Sequence, residues 1–538
     1  MPDAVVVGAG HNGLVAANLL ADAGWTVAVL EAQPEPGGAV RSGELTVPGF
    51  RHDLFSAFYP FAAASPVIRP LGLEEHGLRW RRAPLVLAHP TPDGRCMSLS
   101  TDIGETAVSL DTYAPGDGDA WRRLFGRWEH VGDRLLEALC TPFPPMVAGA
   151  RLAAALGPAE LVRFARFMVL PVRRMAEEEF AGEGAALLLA GNAMHADLAP
   201  ESTPSGMYGW LLACLGQQYG FPVPEGGAGQ LVDAMVKRLE ARGGTVTCGT
   251  AVSEVVVRGR RAVAVRTASG DVMDAGRAVL ADVGAPALYL DLVGPDHLPA
   301  ALVDDLRRFQ YDAGTVKVDW ALDGPVPWLA EAARRAGTVH VSDSLDELSQ
   351  WACHLATGTI PDRPFLLFGQ QSLADPTRSP AGTETAWAYT HVPRHTRRDA
   401  GGGLTGAWDR SEGEAFADRM EARVEALAPG FRDLIRARHI LTPAAMEAAD
   451  ANLVGGAIIG GTAQLHQQLV FRPVPGLGRA ETPVRGLYLA SSSAHPGGGV
   501  HGACGSNAAR AALAADRYRR LGPRRRRTET RPPITLTS

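Results

Sequence analysis

The chain has 538 residues, enough for two or more domains, of which 46% are hydrophobic and 20% are charged. This composition excludes a disordered or collagen-like protein. The formal net charge is -6, but eight Arg and a single Glu lie between Arg517 and Ser538, so the rest of the chain is more acidic than the total. A net-acidic body argues against a nucleic-acid partner, because such partners bind to positively charged surfaces.

Six cysteines are scattered along the chain without a C-x-x-C pair, and no group of residues has metal-ligand spacing. The sequence therefore predicts neither a redox disulfide nor a metal site. The first apolar stretch has no basic segment before it and is interrupted by glycines, which is not typical of a signal peptide. No run of about 20 uncharged apolar residues could cross a membrane. These features predict a cytoplasmic protein.

The N-terminal residues predict a nucleotide-binding unit. Residues 4–31 follow the order strand, glycine turn, helix and strand, and the turn has the pattern G-x-G-x-x-G. The glycines permit a tight turn, a close approach of the backbone to a pyrophosphate and packing of the helix on the strand, while the helix N-terminus supplies free N–H groups. An acid at the end of the second strand is placed to accept hydrogen bonds from ribose hydroxyls. The residues expected to meet the dinucleotide are Gly8, Ala9, Gly10, Asn12, Gly13, Glu31 and Ala32.

The motif by itself does not separate NAD from FAD. A second glycine-rich loop follows in the segment PEPGGAVRSG, which contains Gly38, Ala39 and Arg41. Glycine at this place would let the loop lie against a ribose or a pyrophosphate, and Arg41 could add positive charge. The alternative is a plain turn with a surface arginine.

Residues 222–282 predict a helix followed by a β-meander. The segment PVPEGGAGQLVDAMVKRLEARGG has a glycine turn before an amphipathic helix, and TVTCG, AVSEVVVRG, RAVAVRTASG and DVMDAG are short β-rich segments separated by turns. The block has the same helix-then-strand order as the distant N-terminal unit, which favours a domain interrupted by an insertion.

The last informative block is GLYLASSSAHPGGGVHGACGSNAA, in which a strand runs into a glycine turn and then an alanine-rich helix. Three consecutive glycines, Gly497 to Gly499, indicate that a ligand comes very close to the backbone. The pyrimidine edge of a flavin is a natural occupant, because helix N–H groups would stabilise the negative charge that develops there on reduction.

The three blocks, in this order and spacing, resemble the bacterial-type phytoene desaturase superfamily with its phytoene-dehydrogenase-related oxidoreductases, whose architecture is similar to that of monoamine oxidases. The resemblance implies an α/β fold with a discontinuous, Rossmann-like FAD-binding domain and an inserted α+β substrate domain. It also implies FAD as the cofactor and the backbone of Val252 as a contact of the adenine. By the same resemblance, Gly498, Gly499, Val500 and His501 would contact FAD as well. The predicted division is 1–75, 222–296 and 455–522 for the FAD-binding domain, 76–221 and 297–454 for the substrate domain, and 523–538 for a disordered basic tail.

Lys317 is a candidate catalytic residue. Only two of the 52 basic residues are lysines, and this one lies within the apolar segment YDAGTVKVDWALDGPVPW, which predicts a long strand. The resemblance to monoamine oxidases implies that a lysine at this position holds a water near flavin N5, where an ammonium could orient water, assist the O2 reaction or polarise a substrate. The alternative is a structural lysine paired with Asp312 or Asp319.

Two further strands are predicted at FLLFGQQ and TAWAYTHV, completing a sheet that could cover the flavin. Trp320, Trp387 and Tyr389 on these strands are candidates for the aromatic cage that an amine oxidase would place against the flavin face.

His501 is the second catalytic candidate, because His495 and His501 flank the three glycines and either could carry a proton. The alternative for each is a hydrogen-bonded turn histidine, which is the favoured interpretation for His495. Arg472 could steer a polar group, although a structural ion pair is favoured.

Together these features predict an FAD-dependent oxidoreductase that transfers a hydride between an apolar, polyene- or isoprenoid-like substrate and flavin N5, giving desaturation, saturation or isomerisation. A flavin amine oxidase is one alternative. A second alternative is an FAD-binding protein with weak or no catalysis that acts through partners. The expected partner is an apolar small molecule, and the sequence does not define the oligomeric state.

Residues 146–176 alternate apolar residues and arginines at roughly helical spacing, with Glu160 as the only acid. A basic amphipathic helix of this kind could bind peripherally to a membrane. A lid or core helix with a solvated arginine face is the favoured alternative.

Overall fold

The computed structural model describes residues 1–521, so the predicted disordered tail at 523–538 lies outside the described residues. The β-strands are β1 (Ala4–Val7), β2 (Val27–Leu30), β3 (Ser42–Gly43), β4 (His52–Asp53), β5 (Trp80–Arg81), β6 (Leu85–Pro90), β7 (Cys96–Leu99), β8 (Val223–Pro224), β9 (Thr245–Thr247), β10 (Val252–Arg258), β11 (Arg261–Thr267), β12 (Val272–Asp274), β13 (Ala278–Ala281), β14 (Gly314–Leu322), β15 (Ala336–Val341), β16 (Thr359–Ile360), β17 (Leu366–Gly369), β18 (Glu384–Val392), β19 (Arg398–Asp399), β20 (Ile435–Leu441) and β21 (Leu487–Leu489).

The α-helices are α1 (His11–Asp22), α2 (Pro60–Ala64), α3 (Ile103–Asp111), α4 (Asp117–Leu139), α5 (Met146–Val169), α6 (Val172–Glu179), α7 (Glu183–Ala193), α8 (Ser205–Tyr219), α9 (Gly229–Glu240), α10 (Ala300–Arg307), α11 (Glu331–Arg335), α12 (Leu345–Ala356), α13 (Gln371–Ala374), α14 (Arg410–Leu427), α15 (Pro443–Ala449) and α16 (Ala503–Leu521).

Five strands form a parallel sheet in the order β21-β13-β1-β2-β9, and they come from the beginning, middle and end of the chain. The side chains of β1 point alternately to the two faces of the sheet, and each face is covered by a different layer. Ala4 and Val6 pack with helices α1, α9 and α16, whereas Val5 and Val7 pack toward the antiparallel sheet β10-β11-β12. Both faces are covered, as a parallel sheet requires. The predicted α/β fold with a Rossmann-like unit is confirmed, and the exact domain boundaries stay a prediction.

The segment TVTCG, expected in the meander, instead forms β9 at the edge of the parallel sheet, where it pairs with β2. Its two threonines are exposed, so this three-residue strand carries no pattern that identifies its neighbour. The preceding helix α9 packs beside α1 on one face of the parallel sheet and delivers the chain to that edge. The meander itself consists of β10, β11 and β12.

A mixed sheet of seven strands, β20-β14-β18-β17-β15-β6-β7, forms the second large layer. The strands predicted at FLLFGQQ and TAWAYTHV are present as β17 and β18. The strand predicted over 311–328 is shorter, since β14 ends at Leu322. Pro325 and Pro327 follow closely, and proline cannot donate a ladder hydrogen bond.

The two faces of β14 have different neighbours. Val316, Val318 and Trp320 point into an apolar core shared with α14. Thr315 and Lys317, on the opposite face, lie in the wall of a cavity between this sheet and the parallel sheet. The seven-stranded sheet therefore forms one wall of the cavity.

Helix α5 is broken in the middle, where Gly157 has a φ of +73° and Pro158 follows. Acids on α4 and α6, as well as Glu160, balance the arginines of this segment. The ion pairs are Arg151–Glu137, Arg163–Glu160 and Arg166–Glu178. Met146 and Val162 are exposed on the same helix. Within residues 1–521, no helix combines the length and the apolar character needed to cross a membrane.

Candidate active site

The turn after β1 leaves no room for side chains. Gly8 has a φ of +93°, and a Cβ on Gly13 would lie 2.2 Å from the carbonyl oxygen of Gly8. A Cβ on Gly10 would lie 2.6 Å from Oδ2 of Asp282, which accepts a 2.8 Å hydrogen bond from the Gly13 N–H. Burial raises the pKa of Asp282 to about 7, although the bond from Gly13 acts in the opposite direction.

Glu31 lies beside this turn with its carboxylate fixed by the backbone. Its side chain is buried and accepts hydrogen bonds from the N–H groups of Ala9 (2.7 Å) and Gln33 (2.8 Å). Each carboxylate oxygen has capacity for a second donor, such as a ribose hydroxyl. The Thr250 N–H donates to the backbone oxygen of Glu31 (2.7 Å), which brings the approach to Val252 next to the end of β2.

The second glycine loop packs directly on the first. Gly10 and Gly37 form a parallel bridge, and a Cβ on Gly38 would lie 3.3 Å from the Cα of Gly10. Arg41 donates to the carbonyl oxygens of Gly38 (2.9 Å) and Ala449 (2.7 Å). Arg41 therefore connects the loop to the end of α15 and is not the plain surface arginine of the alternative interpretation. Its guanidinium places a positive charge beside the two glycine turns.

The third glycine turn has the same character. Gly497 and Gly499 both have a φ of +112°, and a Cβ on Gly498 would lie 2.6 Å from the Cβ of Ile459. Helix α16 starts after this turn and packs on α1, where a Cβ on Gly505 would lie 1.9 Å from the carbonyl oxygen of Asn12. The N-terminal ends of α1 and α16 therefore converge, and both present N–H groups and a positive dipole end to the space between them.

Arg472 packs against this turn at Gly497. Its guanidinium is 1% exposed and lies 3.1 Å from where a Cβ on Gly497 would be. The acceptors of its hydrogen bonds are the carbonyl oxygens of Ile459, Gly461, Thr462 and Ser492. The prediction that Arg472 forms an ion pair is wrong within residues 1–521, because backbone carbonyl oxygens of two loops accept the hydrogen bonds of its guanidinium instead. Because no carboxylate of the described part of the chain is hydrogen-bonded to this buried guanidinium, its positive charge is available to a ligand that binds at the turn.

A cavity of about 410 Å3 extends from these glycine turns to the seven-stranded sheet. The predicted site residues in its wall are Gly10, Asn12, Gly38, Ala39, Lys317, Gly498, Gly499, Val500 and His501. The predicted residues outside its wall are Gly8, Ala9, Gly13, Glu31, Ala32, Arg41 and Val252. Beyond the turns, the cavity is lined mainly by apolar side chains, among them Phe55, Phe58, Phe61, Leu139, Leu211 and Phe221.

Lys317 faces this cavity and is also part of a buried ion pair. Its side chain is 2% exposed, and Nζ donates to the backbone oxygen of Asp53 (2.8 Å) and to Oδ1 of Asp319. The partner is thus Asp319, two residues further along the same face of β14, while Asp312 accepts from backbone N–H groups instead. Burial acts to raise the pKa of Asp319, but Lys317, His439 and His52 together outweigh it, so that pKa is lowered. An ammonium has three N–H donors, so one remains for water or substrate.

The histidines beside the glycine turn are neutral. Burial lowers the pKa of His501 to about 3 and that of His495 to about 4. His501 accepts a hydrogen bond from the Ala503 N–H at Nδ1 (3.0 Å), which matches the turn interpretation while leaving it in the cavity wall. Neither ring nitrogen of His495 has a hydrogen-bond partner among residues 1–521.

Two of the three aromatic cage candidates come together. Trp387 and Tyr389 stack with ring centroids 5.9 Å apart and an interplanar angle of 11°, and both line the cavity. Trp320 does not join them, because it lies on the opposite face of the sheet, where its Nε1 donates to Glu421 (2.9 Å) and its ring stacks on Phe368. Side chains of a strand alternate between its two faces, so Trp320, three residues after Lys317, lies on the opposite face of β14.

A family model described as flavin containing amine oxidoreductase matches residues 13–352. The chain belongs to this family of flavin-containing oxidoreductases, and its cofactor is FAD. Over 555 aligned residues it is 30% identical to pyridine nucleotide-disulfide oxidoreductase domain-containing protein 2 of Rattus norvegicus, covering 94% of this chain and 92% of that protein. It is 26% identical to a lycopene-forming phytoene desaturase of Pseudescherichia vulneris, with 95% and 99% covered.

The solved structure of an oxidoreductase from Methanosarcina mazei has the same fold, with a TM-score of 0.61 at 15% identity, covering 95% of this chain and 99% of that one. The predicted resemblance to phytoene desaturases and the prediction of FAD are confirmed.

The residues present fit this cofactor. The first glycine turn, where a Cβ would collide with backbone, would take the pyrophosphate, and the buried carboxylate of Glu31 would take the ribose hydroxyls. The turn from Gly498 to His501, above the guanidinium of Arg472 and at the start of α16, would take the pyrimidine edge of the flavin.

The wall residues that sequence reasoning missed include His11, Asp282 and His195. His11 occupies a variable position of the glycine motif, so the motif says nothing about it. Asp282 follows a buried strand of the parallel sheet, and an acid at that edge was a usable signal. His195 reaches the cavity only through the packing of α7 against the sheet, which no local pattern shows.

Proposed function

We propose that this protein transfers a hydride between FAD and a C–H bond of an apolar, isoprenoid- or polyene-like substrate, giving desaturation, saturation or isomerisation. The observation that carries the proposal is the apolar wall that continues from the glycine turns toward α8 and β18. Such a wall gains affinity by removing hydrocarbon from water. A relative named as a phytoene desaturase supports a substrate of this class.

The charges around the cavity favour a neutral substrate. Lys317 places its ammonium in the wall, and the guanidinium of Arg472 also lines it. The acids of the wall, Asp282 and Asp450, lie beside the glycine turns, where Asp450 Oδ2 is 3.5 Å from where a Cβ on Gly38 would be. Among residues 1–521, the wall therefore offers no carboxylate at the sheet side to pair with a protonated amine.

FAD, when bound, supplies the hydride-transfer chemistry itself. The chain supplies position and electrostatics. Arg472 and the start of α16 stabilise negative charge at the third glycine turn. Lys317, anchored by Asp53 and Asp319, keeps one N–H to orient a water or a polar group of the substrate. The stacked rings of Trp387 and Tyr389 present a flat surface that excludes water from the sheet side.

An amine oxidase is the second candidate, and the stacked pair of Trp387 and Tyr389 favours it. A flavin-binding protein without turnover remains the third interpretation. The three candidates differ in what reduces the bound cofactor.

Anaerobic bleaching of the flavin absorbance separates the candidates. The purified FAD-loaded protein is mixed with isoprenoid polyenes, with amines of matched chain length and with the corresponding alcohols. We expect bleaching by isoprenoid compounds and none by the amines. Bleaching by amines alone would instead identify an amine oxidase. No bleaching by any compound would contradict amine oxidation and desaturation, and if the polyenes also fail to reoxidise the reduced flavin, saturation is contradicted too.

A further inference from the structure

A pair of histidines lies at the wall of the cavity, and one of the two lines it. His195 follows α7 and is part of the cavity wall, and its Nε2 lies 3.2 Å from Nε2 of His340 on β15. His340 is fully buried, and the two rings meet edge to face with centroids 5.4 Å apart. Neither residue belongs to the glycine turns or to the Lys317 ion pair.

The pair carries no charge. Burial lowers the pKa of His195 to about 3 and holds that of His340 well below its usual range. The nearby His89 and His391 are also neutral, since burial lowers the pKa of each to about 4. The pair can therefore act on a ligand through hydrogen bonding and not through charge.

The surroundings of His340 indicate which ring nitrogen of each histidine carries the proton. Its Nδ1 is buried without a hydrogen-bond partner among the described residues and packs against Gly191 of α7, where a Cβ would lie 2.2 Å from that nitrogen. An orphaned buried N–H is costly, so the proton of His340 belongs on Nε2. That N–H donates to Nε2 of His195. His195 must then carry its own proton on Nδ1, which the pair does not use.

We propose that the Nδ1–H of His195 binds an oxygen atom of the substrate, so that the natural substrate is an oxygenated isoprenoid-like molecule, such as an aldehyde, ketone or alcohol, and not a plain hydrocarbon. The inference rests on the proposed function and narrows its substrate class. Among the chain neighbours of His195, Asn192, Ala193 and Ala196 also line the cavity, and the apolar Met207 and Leu211 belong to the same wall. A hydrocarbon in contact with these residues leaves the donor unsatisfied, whereas an oxygen at that point satisfies it. His340 acts as the positioning residue, because its hydrogen bond selects the tautomer of His195.

Three ligands with one carbon skeleton test this assignment: farnesene, farnesal and farnesol. Binding to the oxidised, FAD-loaded protein is followed by the shift of the flavin absorbance and by calorimetry, so the readout does not depend on turnover. We expect farnesal to bind about tenfold more tightly than farnesene, with farnesol between them, because one neutral hydrogen bond in an apolar site corresponds to roughly this factor. This comparison uses the unmodified protein and needs no variant.

Variants then locate the donor. His195→Phe should remove the preference for farnesal while leaving farnesene binding within about twofold, and His195→Gln, which keeps an N–H donor, should restore part of it. His354→Gln, on α12 and outside the cavity wall, is the matched control and should change nothing. Flavin content reports whether each variant is folded.

Equal binding of farnesal and farnesene to the unmodified protein would overturn the inference, as would a His195→Phe variant that keeps the preference. Preferential binding of farnesal, with no isoprenoid able to bleach the oxidised flavin or to reoxidise the reduced flavin, would leave the inference standing and contradict desaturation and saturation as the proposed function. Bleaching by farnesene with no preference for farnesal would have the opposite meaning. If none of the three ligands binds, both are wrong.

Discussion

The two sides of the cavity are built from different parts of the chain. At the glycine turns, the ligand would meet backbone, and an added Cβ at Gly8, Gly10 or Gly13 would lie 2.2 to 2.9 Å from another atom. On the opposite side, the seven-stranded sheet offers side chains, with Lys317, Trp387 and their neighbours standing on regular strands. The turn side therefore tolerates no added atom, whereas side chains of the sheet side can change without altering the backbone.

The largest expected effect is at the turn side. Gly13→Ala places a Cβ 2.2 Å from the carbonyl oxygen of Gly8, so we expect the purified variant to carry no bound flavin. The measurement is the ratio of flavin to protein absorbance after purification and after incubation with FAD. Gly126→Ala is the control, because a Cβ on that helical glycine meets no atom within 4 Å. Normal flavin content in Gly13→Ala would show that the turn is more adaptable than its packing suggests.

The next effect is on the sheet side, where Lys317→Met leaves the buried carboxylate of Asp319 without its partner. Breaking a buried ion pair from one side typically costs about 3 to 5 kcal/mol, so the free energy of unfolding should fall by that amount while flavin content is retained. Adding Asp319→Asn removes the orphaned charge and should recover most of the loss. Denaturant unfolding of the single and double variants measures both values. If Lys317→Met also leaves the rates of flavin reduction and reoxidation unchanged, Lys317 has no catalytic role.

A third effect links the turn side to pH. Asp282 has a pKa of about 7 in the folded protein, against about 3.9 in an unfolded chain, so the folded state holds a proton that the unfolded state releases. The resulting stabilisation is complete below about pH 4 and is lost as the pH rises through 7. Because deprotonation also adds negative charge beside a bound pyrophosphate, we expect the Kd of FAD to rise about tenfold from about pH 6 to pH 8.

Asp282→Asn should flatten that pH dependence, and Asp233→Asn, at an exposed position of α9, should not. Fluorescence titration of the apoprotein with FAD at several pH values gives the required constants. An identical pH profile for Asp282→Asn and the unmodified protein would assign the effect to another group.

The smallest expected effect concerns α5, for which peripheral membrane contact stays a prediction. Its arginines are paired with acids, so binding should depend on exposed apolar residues such as Met146 and Val147. We expect Met146→Ser with Val147→Ser to lower co-sedimentation with anionic liposomes by about twofold or less. If deletion of residues 146–176 without unfolding leaves liposome association intact, this helix is not the contact.

The contrast between the two sides also explains how much could be predicted. The glycine turns are local in sequence, because a backbone that must approach a ligand shows itself as glycine at fixed spacing. Glu31 follows the same logic. Long apolar strands such as β14 and β18 were also predictable, apart from the end that Pro325 imposes on β14.

The sheet side depends on which distant segments meet, and here local patterns fail. Trp320 and Trp387 look alike in sequence, yet their strands turn them to opposite faces. Arg472 finds carbonyl oxygens from two loops in place of the expected carboxylate. The meeting of His195 with His340 requires α7 to pack on β15, and neither segment carries a motif that announces it.

The strand order of the parallel sheet also bears on how the chain is made. β1 is synthesised long before its neighbour β13, which pairs Ala278 with Ala4. β21 joins β13 only when Leu487–Leu489 has been synthesised. Contacts so far apart in sequence form slowly and leave strand edges open in the meantime. A nascent or prematurely ended chain would expose the edge of β13, an attractive template for aggregation. The glycine turn at residues 497–499 follows β21 in the chain, so the FAD site is incomplete until this last part of the parallel sheet has been made.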